Sequence, residues 1–179
     1  MMKKGFVLGL LAIGALAFTV SAARADSDYE YGKQMKALVT KMPEAKIPLA
    51  QGMKTAAAGG KAISSQYEVD PDAGFQLSVF VSKGGAAADA HEIIVDYTTG
   101  KIKSDDKLTD PDDIKDAGNQ LKAMAKAKIP LEQAVEEAVK ANPGYVAIRV
   151  FPVLEGSNAI AKITLLKDGK TKKLTEKLD

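Results

Sequence analysis

The sequence predicts an α+β fold made of two tandem repeats, each a helix pair packed on a three-stranded antiparallel β-meander. Apolar residues first recur at helical spacing and then alternate as in strands, and this order occurs twice along the chain. Ala45–Gln51 (AKIPLAQ) is similar to Ala127–Gln133 (AKIPLEQ), and Gly32–Leu38 is similar to Gly118–Met124. Five consecutive identities in the first pair favour an internal duplication.

Residues 1–25 have the order of a secretory signal peptide. Lys3 and Lys4 form a positive start, Gly5–Val20 carries no charge, and Ala23 and Ala25 supply the small residues of a cleavage site. The uncharged run of 16 residues is shorter than the roughly 20 that a membrane-spanning helix needs. We therefore expect cleavage after Ala25 and a periplasmic or secreted protein with no membrane attachment afterwards.

The rest of the chain divides into a first repeat over 26–104, a linker and helix cap over 105–113, and a second repeat over 114–179. In the first repeat, Met35, Leu38, Val39 and Met42 share one helical face. A second helix begins at Pro48 and is stopped by Gly59-Gly60. Its stripe of Leu49, Gly52, Met53, Ala56 and Ala57 is small, so this helix should lie closer to its sheet or bind it less firmly.

Strand segments follow these helices. Leu77, Val79 and Val81 share one face by alternation, and the next strand places His91, Ile93, Val95 and Tyr97 on one face. A turn is expected at Lys83-Gly84-Gly85. Asp96 is expected to accept hydrogen bonds from backbone amides ahead of it, with Gly100 at a positive φ.

The second repeat opens on Asp110, a good N-cap, with Pro111 at the first helical position. Its first helix has the apolar stripe Ile114, Ala117, Leu121, Met124 and Ala125, and its second helix has Leu131, Ala134, Val135, Ala138 and Val139. Ala161, Ile163 and Leu165 match the strand face of the first repeat, and Lys167–Lys170 is a hairpin turn. Pro152 indicates a sheet edge or a bulge within Ala147–Leu154.

Lys128–Ala138 is a helical segment with spaced alanines, and a Pro-Gly stop follows it within Asn142–Val146. Val95–Ile102 contains an acidic residue, then a Thr-Gly pair and a Lys. These segments resemble the helix and the ending of the PepSY domain family. The second repeat lacks the Thr-Gly turn at its own end. The tandem arrangement also looks like that of secreted β-lactamase inhibitor proteins. Both resemblances imply binding to a protein partner.

Composition limits the chemistry. The formal charge of +2 becomes −1 once Lys3, Lys4 and Arg24 are removed with the signal, so nucleic acid is not an expected partner. The cluster Lys167, Lys170, Lys172 and Lys173 lacks interleaved aromatics and suits a solvated hairpin edge. The sequence has no Cys and a single His, His91, with no partner at a motif spacing.

No catalytic, cofactor-binding or metal-binding residue is predicted, and we do not expect an enzyme. Asp70–Gly74 lacks the later ligands of a calcium loop and is interpreted as a turn, and the acids between Asp105 and Asp113 are interpreted as linker and cap. Core packing is the favoured interpretation of the methionines on the apolar helical stripes. They are Met35, Met42, Met53 and Met124.

The leading hypothesis is an exported, noncatalytic protein-binding module that inhibits or regulates a peptidase or another envelope protein. Its contact surface is predicted on the outward sheet face and strand edges. The residues proposed from strand parity are Gln76, Ser78, Phe80, Glu92 and Ile94. The alternatives are a periplasmic protein that responds to a small molecule or metal ion bound between the repeats, and a purely structural envelope role.

Overall fold

The structure is a computed structural model that describes residues 34–70 and 74–179. The predicted signal peptide and most of the Asp70–Gly74 turn lie outside the described residues. The helices are α1 (34–41), α2 (Leu49–Ala57), α3 (Pro111–Met124) and α4 (Leu131–Ala141), with short 3-10 turns at Met42–Glu44 and Ala87–Asp89. In this part of the chain, no helix is both long and apolar enough to cross a membrane.

Seven strands form one antiparallel sheet in the order β4-β3-β2-β1-β5-β6-β7. They are β1 (Lys61–Asp70), β2 (Gly74–Ser82), β3 (Ala90–Val95), β4 (Ile102–Lys107), β5 (Val146–Glu155), β6 (Asn158–Lys167) and β7 (Lys170–Lys177). The first four strands are a meander from the centre to one edge, and the last three are a meander from the centre to the other edge.

The predicted architecture of two repeats, each with its own three-stranded meander, is therefore wrong. β1 pairs with β5 through Ser65 opposite Val150 and Gln66 opposite Arg149, which joins all the strands into one sheet. The first half also has four strands instead of three. The sequence does not signal the β1–β5 pairing because its partners are far apart in the chain and each strand alternates as an independent strand would.

The strand that the prediction lacked is β4. Asp105 and Asp106, assigned to the linker, lie in β4 opposite Ile93 and Glu92 of β3. The segment is polar and mostly exposed because it forms an edge of the sheet, where charged side chains are tolerated. The remainder of the 105–113 segment does contain the cap: the Asp110 carboxylate accepts hydrogen bonds from the backbone N–H groups of Asp112 and Asp113.

Pro152 lies in an interior strand rather than at an edge of the sheet. β5 pairs with β6 along most of its length, and Pro152 lies opposite Ala161. Pairing of β5 with β1, by contrast, is confined to Arg149 and Val150. Pro152, which has no backbone N–H to donate, therefore lies beyond the β1–β5 ladder. The expected bulge is present, since the β5–β6 register shifts between Ala147 and Arg149.

The two faces of the sheet have different covers. We call the face that carries Leu77, Val79 and Val81 the helix face. Helices α2 and α4 pack on it side by side. Lys54 of α2 forms a 2.6 Å ion pair with Glu136 of α4. Met53 and Met124 are fully buried, and Met35 and Met42 pack at the margin of the core, which confirms their interpretation as core residues. The opposite face, which we call the far face, contains the residues proposed as a contact surface.

The repeated AKIP segments make the same anchoring contact in both halves. The backbone N–H groups of Lys46 and Ile47 both donate to the carbonyl of Tyr97, at 2.8 and 3.0 Å. The N–H groups of Lys128 and Ile129 donate in the same way to the carbonyl of Leu178, at 2.6 and 3.0 Å. Each contact fixes the entry to a helix against the end of a strand: α2 against the end of β3, and α4 against the end of β7.

The small residues of α2 let that helix lie close to β2. A Cβ added at Gly52 would be 2.4 Å from the Cδ2 atom of Leu77, which is itself fully buried. A Cβ at Gly118 of α3 would meet only the Cβ of Ala87, at 3.4 Å. The close approach predicted for the smaller stripe is therefore present.

We expect Gly52→Ala to lower the free energy of unfolding by about 1–2 kcal/mol, because the added methyl group would overlap the fully buried Leu77 side chain. Gly118→Ala is the matched control and should raise it by about 0.5–1 kcal/mol through helix propensity alone. Urea denaturation of both variants measures the difference. Equal stabilisation by the two substitutions would show that α2 has room to shift.

Leu178→Ala should lower the free energy of unfolding by about 2–5 kcal/mol, because the Leu178 side chain is fully buried. Leu154→Ala is the control: Leu154 is 37% exposed and its truncation should cost less than about 1 kcal/mol. Thermal and urea unfolding measure the two costs, and similar values would contradict the role of the Leu178 side chain in the core.

Candidate functional site

The five residues proposed as a contact surface lie together on the far face. Phe80 is opposite Glu92 and Ser78 is opposite Ile94 across the β2–β3 ladder, while Gln76 is opposite Glu68 of β1. The alternation of side chains along the strands therefore predicted correctly that these five residues share one face of the sheet.

The far face is less open than an outward sheet surface would be. Ile94 is half-buried, but Gln76, Ser78, Phe80 and Glu92 are each less than a tenth exposed. Helix α3 provides part of the cover: Gln120 of α3, also buried, lines a small cavity with Ser64, Phe80 and Phe151. The prediction had placed α3 in a separate second repeat, so it did not include this cover.

Glu68 of β1 is the centre of a hydrogen-bonded network on this face. Its Oε2 atom accepts from Gln66 Nε2 at 2.7 Å, and its Oε1 atom accepts from Gln76 Nε2 at 2.9 Å and from the hydroxyl of Ser78. Both carboxylate oxygens thus have donors. The network holds the side chains of β1 and β2 in fixed positions beside Glu92.

Glu92 of β3 is the exceptional residue of the site. Its Oε1 atom is buried and has no hydrogen-bond partner. Burial is the main cause that raises the pKa of the Glu92 carboxyl to about 7. The negative charges of Glu68, Asp113 and Asp106 contribute to this rise, and a hydrogen bond from the Ser78 hydroxyl opposes it. A buried oxygen without a partner carries an uncompensated desolvation cost.

The carboxylates of Glu68, Glu92, Asp106 and Asp113 form what we call the acidic cluster. They come from β1, β3, β4 and α3, and Asp106 lies directly opposite Glu92 in the β3–β4 ladder, where like charges repel. Partial burial raises the pKa of Asp113 to about 6, and the neighbouring Asp110, Asp116 and Asp112 add to the shift. Among the described residues, no group of three or more His, Cys, Asp or Glu side chains could hold a metal ion.

His91 has a partner that the sequence did not reveal. Its Nδ1 atom is 2.7 Å from Oδ1 of Asp105, whose Oδ2 atom accepts from Lys83 at 2.6 Å. The Lys83 ammonium, together with the His91 contact, lowers the pKa of the Asp105 carboxyl. The alternation of β3 places His91 on the helix face and Glu92 on the far face, so the structure does not combine the histidine with the acidic cluster.

Two other sequence features have structural roles. The Asp96 carboxylate accepts from the Thr98 hydroxyl at 2.6 Å and from the Thr99 and Thr98 amides at 2.8 and 2.9 Å, and these hydrogen bonds lower its pKa. Gly100 has a φ of 75°. Both expectations for this turn are confirmed. In the edge strand β7, the Lys172 ammonium donates to Asn142 Oδ1 at 2.6 Å and lies 5.9 Å from the centre of the Tyr145 ring.

We predict that Glu92→Gln stabilises the protein at pH 8 and has little effect at pH 5. The folded-state pKa of Glu92 is higher than that of the unfolded chain, so the folded state binds the proton more tightly. Its contribution of up to about 3 kcal/mol is present at low pH and is lost as the pH rises through 7.

A neutral amide at position 92 should remove that loss, which denaturant titrations at pH 5 and pH 8 would measure. Asp113→Asn should act in the same direction with a smaller effect, and Glu137→Gln on the exposed side of α4 should change nothing. A wild-type protein whose stability rises from pH 5 to pH 8, with Glu92→Gln having no effect on that slope, would contradict the assignment.

No protein-family model matches this sequence, and no curated protein matches it either. Among solved structures, the chain is similar to a candidate lipoprotein from Clostridium difficile, with 16% sequence identity and a TM-score of 0.41 over 75% of this chain and 88% of the other.

Proposed function

We propose that this protein is an exported, noncatalytic binding module that engages a protein partner through the far face around Glu92. The observation that carries the proposal is the unpartnered, buried Oε1 atom of Glu92 beside three further carboxylates. Such an arrangement costs folding free energy, and groups of this kind concentrate at functional sites. A ligand that supplies the missing partner would recover that cost.

The surroundings of Glu92 favour binding over catalysis. The Glu68 oxygens already accept hydrogen bonds from Gln66, Gln76 and Ser78, which fixes Glu68 as a structural acceptor rather than a mobile base. His91 and its partner Asp105 share the helix face of β3 and β4. The site combines a fixed polar network with the half-buried side chain of Ile94, a mixture of polar and apolar groups that suits recognition of a protein surface.

Export and the kind of partner belong to the same proposal. The order of residues 1–25 supports export, and the PepSY resemblance supports a peptidase or another envelope protein as the partner to be regulated. The alternative of a protein responsive to a small molecule or metal ion has no comparable observation in its favour within residues 34–70 and 74–179.

The test is site-specific photo-crosslinking in the cell envelope. A benzophenone amino acid replaces Ile94 on the far face or, as the control, Gln133 on the exposed side of α4. We expect one discrete protein adduct from position 94 and none from position 133. Mass spectrometry would identify the adduct, and the purified partner should reproduce it.

The adduct should also weaken when Glu92→Gln is added to the same chain. Circular dichroism would confirm that each variant is folded. Adducts of equal yield from both positions, or none from position 94 in a folded variant, would refute the far face as the contact surface.

A further inference from the structure

The geometry points to a specific chemistry for the ligand of the far face: we infer that the acidic cluster of Glu68, Glu92, Asp106 and Asp113 receives lysine or arginine side chains from an extended basic segment of the partner. The inference rests on the proposed function, because it names the chemistry of the partner at that same site.

The charge balance of the cluster is the first argument. Its four carboxylates come from four different elements, and every charged group found to act on Glu92 is another acid: Glu68 from β1, Asp106 from β4 and Asp113 from α3. The remaining group that acts on it is the hydroxyl of Ser78 from β2. A bound cation would convert this repulsion into attraction, and in a partly buried site that change is large.

The second argument is the orientation of donors and acceptors. Glu92 Oε1 is buried without a donor, whereas both oxygens of Glu68 have donors. The Gln66 and Gln76 side chains donate through their Nε2 atoms to Glu68 and not to Glu92. Since no described residue donates to Glu92 Oε1, a donor supplied by a ligand would satisfy it, and ammonium and guanidinium groups carry donors and no acceptor.

The spacing of the carboxylates distinguishes a basic segment from a metal ion. In the described part of the chain, no group of three or more His, Cys, Asp or Glu side chains could hold a metal ion. The carboxylates are instead distributed over three strands and a helix, which suits several separate positive charges. An extended chain presents alternate side chains to one face about 6.5–7 Å apart, so two or three basic residues could each meet a different acid.

Exposure decreases from the rim of the cluster to its base. Asp106 is exposed, Asp113 and Glu68 are half-buried, and Glu92 is buried. A lysine or arginine side chain can follow this gradient, because its long apolar stem can pack along Ile94 while its charged end reaches inward. A short or compact cation has no comparable apolar portion to place against Ile94.

Binding should depend on pH through the same group. Ionised Glu92 attracts a cation, and the facing charges from the packed elements, Glu68, Asp106 and Asp113, all favour the neutral form in the free protein. Affinity should therefore be higher at pH 8 than at pH 5.5, where Glu92 is protonated. Partial burial raises the pKa of Asp113 to about 6, so its loss of charge at low pH adds to the same trend.

The experiment is isothermal titration calorimetry of the purified protein with an octapeptide of alternating lysine and threonine, at pH 8 and low ionic strength. We expect saturable binding that weakens with added salt and at pH 5.5. Peptides with glutamate or acetyl-lysine in place of lysine are the ligand controls and should not bind.

Glu92→Gln should weaken binding about tenfold or more, since it removes a charge-assisted hydrogen bond at a buried site. Asp113→Asn should weaken it about threefold, as expected for a less buried charge. Glu137→Gln, which removes the same charge from α4, should leave the affinity unchanged. Thermal unfolding of each variant shows that it is folded.

Equal affinities for Glu92→Gln, Asp113→Asn and Glu137→Gln would overturn the inference, since they would mean attraction to the overall charge. Saturable binding of spermidine or Ca²⁺ in place of the peptide would overturn the assignment to a basic segment. If the lysine peptide fails to bind while position 94 still crosslinks to one protein, this inference fails and the proposed function stands. If both experiments fail, the far face is not a binding surface.

Discussion

The short pairing between β1 and β5 is the contact on which the rest of the molecule depends. Only Ser65 with Val150 and Gln66 with Arg149 are in register there, yet this ladder makes one seven-stranded sheet from two meanders. The joint is covered on both sides. The ion pair between Lys54 and Glu136 links α2 to α4 on the helix face, and α3 contacts both β1 and β5 at the far face.

Local features of the fold were predictable because each depends on residues close together in the chain. The Asp110 cap, the Asp96 turn and the Asp168-Gly169 hairpin, with φ values of 50° and 72°, follow from side chains and conformations within a few residues. The sheet as a whole was not predictable in this way. The β1–β5 pairing has no local signal, and β4 is too polar to be distinguished from a linker by alternation alone.

In the candidate site, too, the local features were predictable from the sequence and the distant contacts were not. Alternation along β2 and β3 was enough to group Gln76, Ser78 and Glu92 on one face. Their burial could not be inferred, because it comes from α3 and from the side chains of β1, which reach this face only through the continuous sheet. Glu68, which accepts three hydrogen bonds there, was missed for that reason, as was the pairing of His91 with Asp105 across β3 and β4.

The two carbonyl anchors have a consequence for the order of folding. Ile47 and Tyr97, like Lys128 and Leu178, are about 50 residues apart, whereas Ser65 and Val150 are about 85 apart, so the two anchors close shorter loops than the central ladder does. Closing a loop lowers the entropy of the chain before the contact at its ends can stabilise it, and this entropy loss grows slowly with loop length. The ladder between β1 and β5 has only two residue pairs, so it contributes little stabilisation by itself. We therefore expect each meander to close on its own helix entry first, and the central junction to form late, as the step that limits the rate of folding.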